Sequence, residues 1–293
     1  MSDPVRVGLV GAGPWASMVH APVFAGAPET TLEAVWARRP ETARTLAARH
    51  GATPVATTDE LFQRCEAVVF AVPPDVQADL AVAAARAGCA LVLEKPIAGD
   101  LAGAEALALA AGESGVASMV VLSWRYAAAV RAFLDDAAHF DAFGGSGQFL
   151  SSGLLGGPFA TPWRLERGPL LDLGPHVVDL LDAALGPVTA VRATGHHHDL
   201  VTLQLEHRSG VVSTALLSAT MAVEPHRAGV ELYGSAGVLE IDCATAVGPE
   251  AFLTVARELA EAVRGTPHPL DVGRGLHLQR ILADAEGQLI GFR

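Results

Sequence analysis

Three polar residues sit at helical spacing on an otherwise apolar run. In "GPLLDLGPHVVDLLDAALG", residues 168–186, Asp172, His176 and Asp179 fall at i, i+4 and i+7. A helix through them puts all three on one stripe. An imidazole near a helix N-terminus tends to stay neutral, because the dipole disfavours positive charge there. A neutral imidazole can take a proton from an alcohol, so His176 suits a general base. Pro175 is best accommodated in a first turn, which sets the helix start near Asp172. Each residue also has a purely structural alternative. Asp172 could be an N-cap, His176 a satisfied core histidine, and Asp179 a buried acid bonded to backbone.

Lys95 is a second candidate. It is the only lysine in the chain, the other 19 basic residues being arginine. It stands in "LVLEKPIAG", at the end of an apolar run that reads as a parallel strand. Ligands of open α/β sheets bind outside such strand ends. A surface lysine without a role is the alternative.

A third candidate is the stretch "VRVGLVGAGPWA". Gly11, Gly13 and Ala16 take G-x-G-x-x-A spacing between a strand and a helix. The first glycine permits the tight turn, the second lets backbone approach a pyrophosphate, and the small third residue lets helix and strand pack. The strand–loop–helix context is what this fingerprint requires. Pro14 and Trp15, within the loop, belong to the same expected cofactor surface. At the end of the next strand, "LEAVWARRP" has Ala37 where an NAD site would carry an acid, and Arg38 and Arg39 follow. Guanidinium groups there suit a ribose 2′-phosphate. Solvated arginines at a strand end are the alternative. The reading favours NADP, with NAD also compatible.

These residues need a frame to hold them. The first ~120 residues alternate short apolar runs with helical stretches, as parallel βαβ units do. Expected strands are Val5–Val10, Thr31–Trp36, Ala67–Val72, Ala90–Leu93 and Val116–Leu122. Helices are expected from Pro14, over residues 40–51, from Pro73 to Gly88, and over Leu101–Ser114. Continuous apolar strands imply a sheet covered on both faces. After Ser123 come glycine-rich segments, one long apolar helix near 172–185, then strands near 188–194, 199–206, 211–219, 228–233 and 237–241. Two helices, near 250–264 and 272–286, close the chain. The fold class is α/β: an N-terminal Rossmann domain over 1–122, then an α+β domain with an open, mainly antiparallel sheet over 123–293. The C-terminal helix can pack back on the first domain.

Whole-chain properties exclude several function classes. The 293 residues carry net charge −12 with no basic block, which argues against nucleic acid or an anionic membrane as partner. No apolar run is long enough to span a bilayer, and the N-terminus has no signal-peptide pattern. Cys65, Cys89 and Cys243 are far apart and read as reduced thiols of a cytoplasmic protein. No metal site is expected. The adjacent His196, His197 and His198, with His207 nearby, cannot all face one ion from a strand, and read as a solvated hairpin.

The chain resembles the family of glucose–fructose oxidoreductase, inositol dehydrogenase and MocA-like proteins. The likeness rests on "VGLVGAGPWA", "AVPPDVQADLAVAAARAGCALVLEKPIA", "SWRYAAAVR", "PWRLERGPLLDLGPHVVDLL" and the closing "ELAEAVRGTPHPLDVGRGLHLQRILADAE". The resemblance implies that Lys95 of "EKP" reaches the nicotinamide ribose and the substrate oxygen. It implies His176 as proton donor or acceptor, and Asp172 as the group holding the substrate hydroxyl or the lysine. Pro73 and Pro74 would lie under the pyrophosphate on its adenosine side, with Val72, Gln77 and Glu94 also against the cofactor. Gln77 replaces a frequent histidine, and the glycine cluster before "LLD" is reduced to "RGPLLD". Trp124, Arg125, Trp163 and Arg164 would line the substrate pocket. The open sheet would form a homodimer or homotetramer interface.

The expectation is an NADP-preferring dehydrogenase or ketoreductase moving a hydride between nicotinamide and a CH–OH or C=O carbon of a sugar, sugar derivative or cyclitol. One alternative is a non-catalytic NADP-binding regulator or assembly subunit on the same fold. Another is a reductase of an imine or a dihydrodiol-type substrate.

Overall fold

A computed structural model describes residues 3–289. The chain divides into two compact units. One runs to Val121 and takes in Phe252–His277; the other comprises Leu122–Ala251 and the stretch from Leu278 onward. The division thus differs from a single cut after residue 122 by the return of Phe252–His277 to the first unit.

The first unit is built on β1 (Val5–Val10), α1 (Ala21–Gly26), β2 (Thr30–Trp36), α2 (Pro40–His50), β3 (Thr53–Pro54) and α3 (Thr58–Arg64). It continues with β4 (Ala67–Phe70), α4 (Pro74–Arg86), β5 (Ala90–Leu93), α5 (Leu101–Ser114) and β6 (Ser118–Val120). The six strands form one sheet in the order β3-β2-β1-β4-β5-β6, and every pairing is parallel. This is the Rossmann order, with the switch point between β1 and β4. Strands β4 and β5 are buried at every position, as expected where helices cover both faces. Helix ends follow local chemistry. Asp100 caps α5 by accepting from Gly103 N at 2.8 Å, and Pro40 opens α2. The sequence reading missed β3 and α3. Two residues of strand carry no periodicity, and "TDELFQR" shows only its Thr57 cap.

The returning segment closes the open edge of this sheet. Val120 N donates to Leu270 O at 2.7 Å, and Val272 N donates to Ser118 Oγ at 3.0 Å. An edge strand is thereby covered.

The second unit contains α6 (Ala128–Ala137), β7 (Ala142–Leu150), α7 (Pro162–Leu185), β8 (Val188–Gly195), β9 (Val201–His207), β10 (Val212–Ser218), β11 (Arg227–Gly234), β12 (Gly237–Asp242) and the short α8 (Cys243–Ala246). Helices α9 (Glu250–Val263) and α10 (Val272–Leu289) follow. The sheet order is β12-β11-β7-β10-β9-β8. All pairs are antiparallel except β7 with β10, so the sheet is mainly antiparallel. Among the described residues no helix is long and apolar enough to cross a membrane.

Two departures from the sequence reading appear here. The glycine-rich "AFGGSGQFL", to which no element was assigned, is the central strand β7. Glycine is a poor strand former by propensity, yet here it permits contact. A Cβ at Gly147 would sit 2.6 Å from Val177 Cγ1 and 3.3 Å from Leu181 Cδ1. The strand lacks side chains where α7 presses on it. Second, α7 does not begin near Asp172. It spans Pro162–Leu185 with a break at Gly168 (φ 66°, ψ −169°), so the helical run through Asp172 starts at Pro169 and Pro175 lies in its interior. The break is held by the β8–β9 turn, because a Cβ at Gly168 would collide with His197 O. Helix α6 and α8 were also not anticipated. The α6 run "AAVRAFLDDA" is short and opens at Ala127 with no side-chain cap to mark its start.

Gly147→Ala is expected to lower stability by about 1–3 kcal/mol through overpacking against α7. Urea unfolding should show a lower midpoint with an unchanged slope.

Candidate functional site

In the first unit the glycine loop has the form a dinucleotide requires. Gly11 has φ +120°, and a Cβ there would collide with Ala71 O, so only glycine fits. At Gly13 a Cβ would meet nothing within 4 Å, which leaves open space over the exposed backbone. Ala16 is completely buried, as close helix–strand packing demands. Helical winding begins at once, with Ser17 N bonded to Gly13 O at 3.0 Å. A helix N-terminus with open space before it suits a pyrophosphate. The residues present therefore fit an NAD(P) group. Pro14 and Pro73 are exposed, Trp15 and Val72 half-buried and Pro74 buried. Arg38 and Arg39 are exposed just past the end of β2.

Glu94 and Lys95 follow β5 directly. The Glu94 side chain is 14 % exposed. Its Oε1 accepts from Trp15 Nε1 at 2.6 Å and contacts His20 Nε2 at 2.8 Å. Burial pushes the carboxyl's pKa up, but the bond and charge of His20, the charge of Lys95 and the Trp15 bond outweigh this. The net shift is below the usual carboxylate value. Lys95 itself is half-buried.

Gln77 has a different place from the one expected. It is completely buried. Its Nε2 donates to Glu94 O at 2.8 Å, Ile97 O at 3.1 Å and Pro96 O at 3.3 Å, while its Oε1 accepts from Glu94 N at 2.8 Å. An amide engaged on four backbone groups and shut off from solvent does not contact a dinucleotide. Gln77 instead fastens the turn that carries Lys95. His20 was missed by the sequence reading. Its place nine residues after Gly11 signals nothing until the fold brings β5 beside the loop.

In the second unit, His176 is 7 % exposed and stacks on Trp124 with ring centroids 5.3 Å apart and planes at 25°. Phe149 of β7 lies 5.4 Å from Trp124 and 6.2 Å from His176. His226 extends this aromatic row, 5.9 Å from Phe149. Trp124 is thus buried behind the imidazole and fixes its plane.

The two acids of the α7 stripe each hold an arginine. Asp179, 1 % exposed, accepts from Arg125 Nη1 at 3.1 and 3.2 Å. Asp172 accepts from Arg164 Nε at 3.1 Å. The Arg164 guanidinium also lies over the Trp163 ring at 4.9 Å and donates to Phe159 O at 3.5 Å. Asp172 is not an N-cap, because it lies within the helical run.

Other candidate chemistry recedes. Burial pushes the thiols of Cys65 and Cys243 up to about 12 and raises that of Cys89, so none is a nucleophile near neutral pH. His196–Asp199 form the β8–β9 turn, as expected, with His196 and Asp199 both well exposed. His207 is buried separately, between Gly186 O and Ser213 Oγ. Among the described residues no group of three or more His, Cys, Asp or Glu is placed to hold a metal ion. A groove of about 1010 Å³ does exist, lined by residues such as Ser146, Gln148, Thr214, Arg227 and Glu231. By strand alternation these side chains point to the sheet face opposite Gly147 and α7.

Residues 5–122 match the family described as "Oxidoreductase family, NAD-binding Rossmann fold", GFO_IDH_MocA, and residues 142–240 match the GFO/IDH/MocA C-terminal domain. The chain belongs to the GFO/IDH/MocA oxidoreductase family. Like others of the family, it is an oxidoreductase with an NAD(P)-binding Rossmann domain. A curated relative is the dTDP-3,4-didehydro-2,6-dideoxy-alpha-D-glucose 3-reductase of Streptomyces violaceoruber, 29 % identical over 255 residues, 81 % of this chain and 72 % of that one. Another is the inositol 2-dehydrogenase of Rhizobium meliloti (strain 1021), 41 % identical over 95 residues, 32 % of this chain and 28 % of that one. Among solved structures, GenD2 from gentamicin A biosynthesis in complex with NAD superposes with TM-score 0.86 at 22 % identity, covering 100 % of this chain and 96 % of that one. At this identity the likeness speaks for the fold.

The depressed Glu94 carboxyl sets a sign for acid stability. A group whose folded pKa lies below its unfolded value stabilises the fold above the unfolded value, and that contribution is lost as pH falls through the folded pKa. Wild type should therefore be more stable than Glu94→Gln near neutral pH. The advantage should shrink on acidification through the range below the usual carboxylate value of 4.5, as followed by denaturant unfolding at stepped pH.

Proposed function

We propose that this chain is an NADP-preferring dehydrogenase or reductase acting on a CH–OH or C=O carbon of a sugar, sugar derivative or cyclitol. The observation that carries the reading is His176 held in plane against Trp124 on the D-x-x-x-H turn of α7, in a chain of this family. The named activities of the relatives, on a deoxysugar nucleotide and on inositol, support the substrate class. Reduced, buried cysteines support a cytoplasmic setting. The open sheet face, grooved and uncovered by α7, supports assembly as a homodimer or homotetramer.

The bound nicotinamide supplies or accepts the hydride, which is the demanding step. In the reductive direction His176 gives a proton to the substrate oxygen, and Lys95 polarises that oxygen and stabilises its developing negative charge. Asp172, anchored by Arg164, holds a substrate hydroxyl. Arg125 is committed to Asp179, so its part is to keep α7 fixed beside the 123–126 turn. Gly11, Gly13, Pro14, Trp15 and Ala16, with Val72, Pro73 and Pro74, would hold the pyrophosphate side of the dinucleotide. Arg38 and Arg39 would bind its 2′-phosphate. Exposed guanidinium groups, with Ala37 in place of an acid, support NADP over NAD.

His176→Ala is expected to lower turnover by about 10²–10⁴ with NADPH affinity kept. The assay follows reduced-nicotinamide absorbance on a panel of polyols and keto-sugars. Unchanged turnover would remove His176 from the reaction. Replacing Arg38 and Arg39 together by alanine should raise the KM for NADPH by at least about tenfold and leave NADH unaffected. Equal effects on both dinucleotides would overturn the NADP reading.

A further inference from the structure

Glu94 touches both segments on which cofactor binding and Lys95 depend. Its Oε1 takes two donors from the helical turn that follows the glycine loop, Trp15 Nε1 at 2.6 Å and His20 Nε2 at 2.8 Å. An ionised carboxylate only accepts, so the hydrogen lies on His20 Nε2. The backbone of the same residue is gripped from the opposite side by Gln77, through Glu94 N and Glu94 O. Side chain and main chain of residue 94 are therefore fixed independently, one residue before Lys95.

The helix winding supports a purpose for this arrangement. Ala16–His20 is a π-helical turn, with Ala21 N bonded to Ala16 O. In an α-helix, at ~100° per residue, positions five apart diverge by ~140°. In π winding, with i→i+5 bonds and more residues per turn, positions five apart fall much closer to one face. Trp15 and His20 are five apart, and both reach one oxygen. His20 is 2 % exposed and stacks on Phe24 at 6.0 Å, while the Trp15 ring also meets Phe252 at 5.6 Å. A wide turn is a poor local choice, and here it brings both donors to the Glu94 carboxylate.

We infer that His20 and Trp15, acting through Glu94, are positioning residues that couple the dinucleotide loop to Lys95, so that filling the loop fixes how the lysine is presented. This rests on the reading that Lys95 faces the nicotinamide ribose, and it extends that reading to His20, which lies outside the loop fingerprint.

The test uses the single lysine. Amine-selective labelling read by peptide mapping reports on Lys95 alone among side chains. It is run on full-length wild type, His20→Leu, His20→Gln and Trp15→Phe, with and without saturating NADPH. NADPH affinity is taken from nicotinamide fluorescence and folding from thermal unfolding. Wild type should label more slowly with NADPH bound. His20→Leu should bind NADPH about tenfold more weakly and lose most of that protection even at saturation. His20→Gln keeps an N–H near the former Nε2, so it should stay within about threefold of wild type and retain protection. A merely structural role would lower the unfolding temperature yet leave protection at saturation intact. That result in His20→Leu overturns the coupling. Should His20→Leu not fold, Trp15→Phe, which keeps the ring and deletes the N–H, is read by the same criterion. If NADPH does not slow labelling in wild type, the placement of Lys95 falls and the inference falls with it. A protected wild type beside an equally protected His20→Leu rejects the coupling alone.

Discussion

A carboxylate withdrawn from water must be met by donors, and each buried acid of this chain fixes whatever supplies them. Glu94 draws in Trp15 and His20 and thereby ties the glycine-loop turn to the end of β5. Asp179 draws in Arg125 and ties α7 to the 123–126 turn. Asp182 accepts from Val188 N at 2.7 Å and sets where β8 begins after the helix. Asp172 draws in Arg164 across the break at Gly168. Loss of one member would strand the other in low dielectric, so these pairs act as locks on geometry more than as sources of stability.

The second constraint is closeness of approach. The backbone at Gly11 passes so near Ala71 O that a side chain is excluded, and this sets the mouth of the loop beside β4. Gly147 does the same between β7 and α7. Helix α7 can then lie on the sheet with His176 in reach of Phe149 and Trp124. An imidazole packed against aromatic rings has few orientations available, which supports the proton-transfer role proposed for His176.

The two units divide the chemistry by residue type. The first presents open backbone at Gly13, a half-buried lysine and exposed arginines, all suited to phosphates and a ribose. The second presents an aromatic row and acids held by arginines. Membership of the GFO/IDH/MocA family agrees with both halves.

The parallel sheet was legible in the amino-acid order because its strands are continuous apolar runs punctuated by glycine and proline, a local property. The glycine fingerprint, Lys95 at a strand end and the spacing of Asp172, His176 and Asp179 were legible for the same reason. Strand β7 was not, since three glycines and small or polar neighbours over "AFGGSGQFL" disguise a strand whose worth is the helix it admits. Nor was the start of α7, where Pro175 argued for a later beginning than the fold uses. The role of Gln77, the partner of each arginine and the part of His20 were out of reach as well. Local sequence fixes conformation and residue type at each position. Which donor meets which buried acid depends on segments tens of residues apart being brought together, and only the tertiary structure decides that.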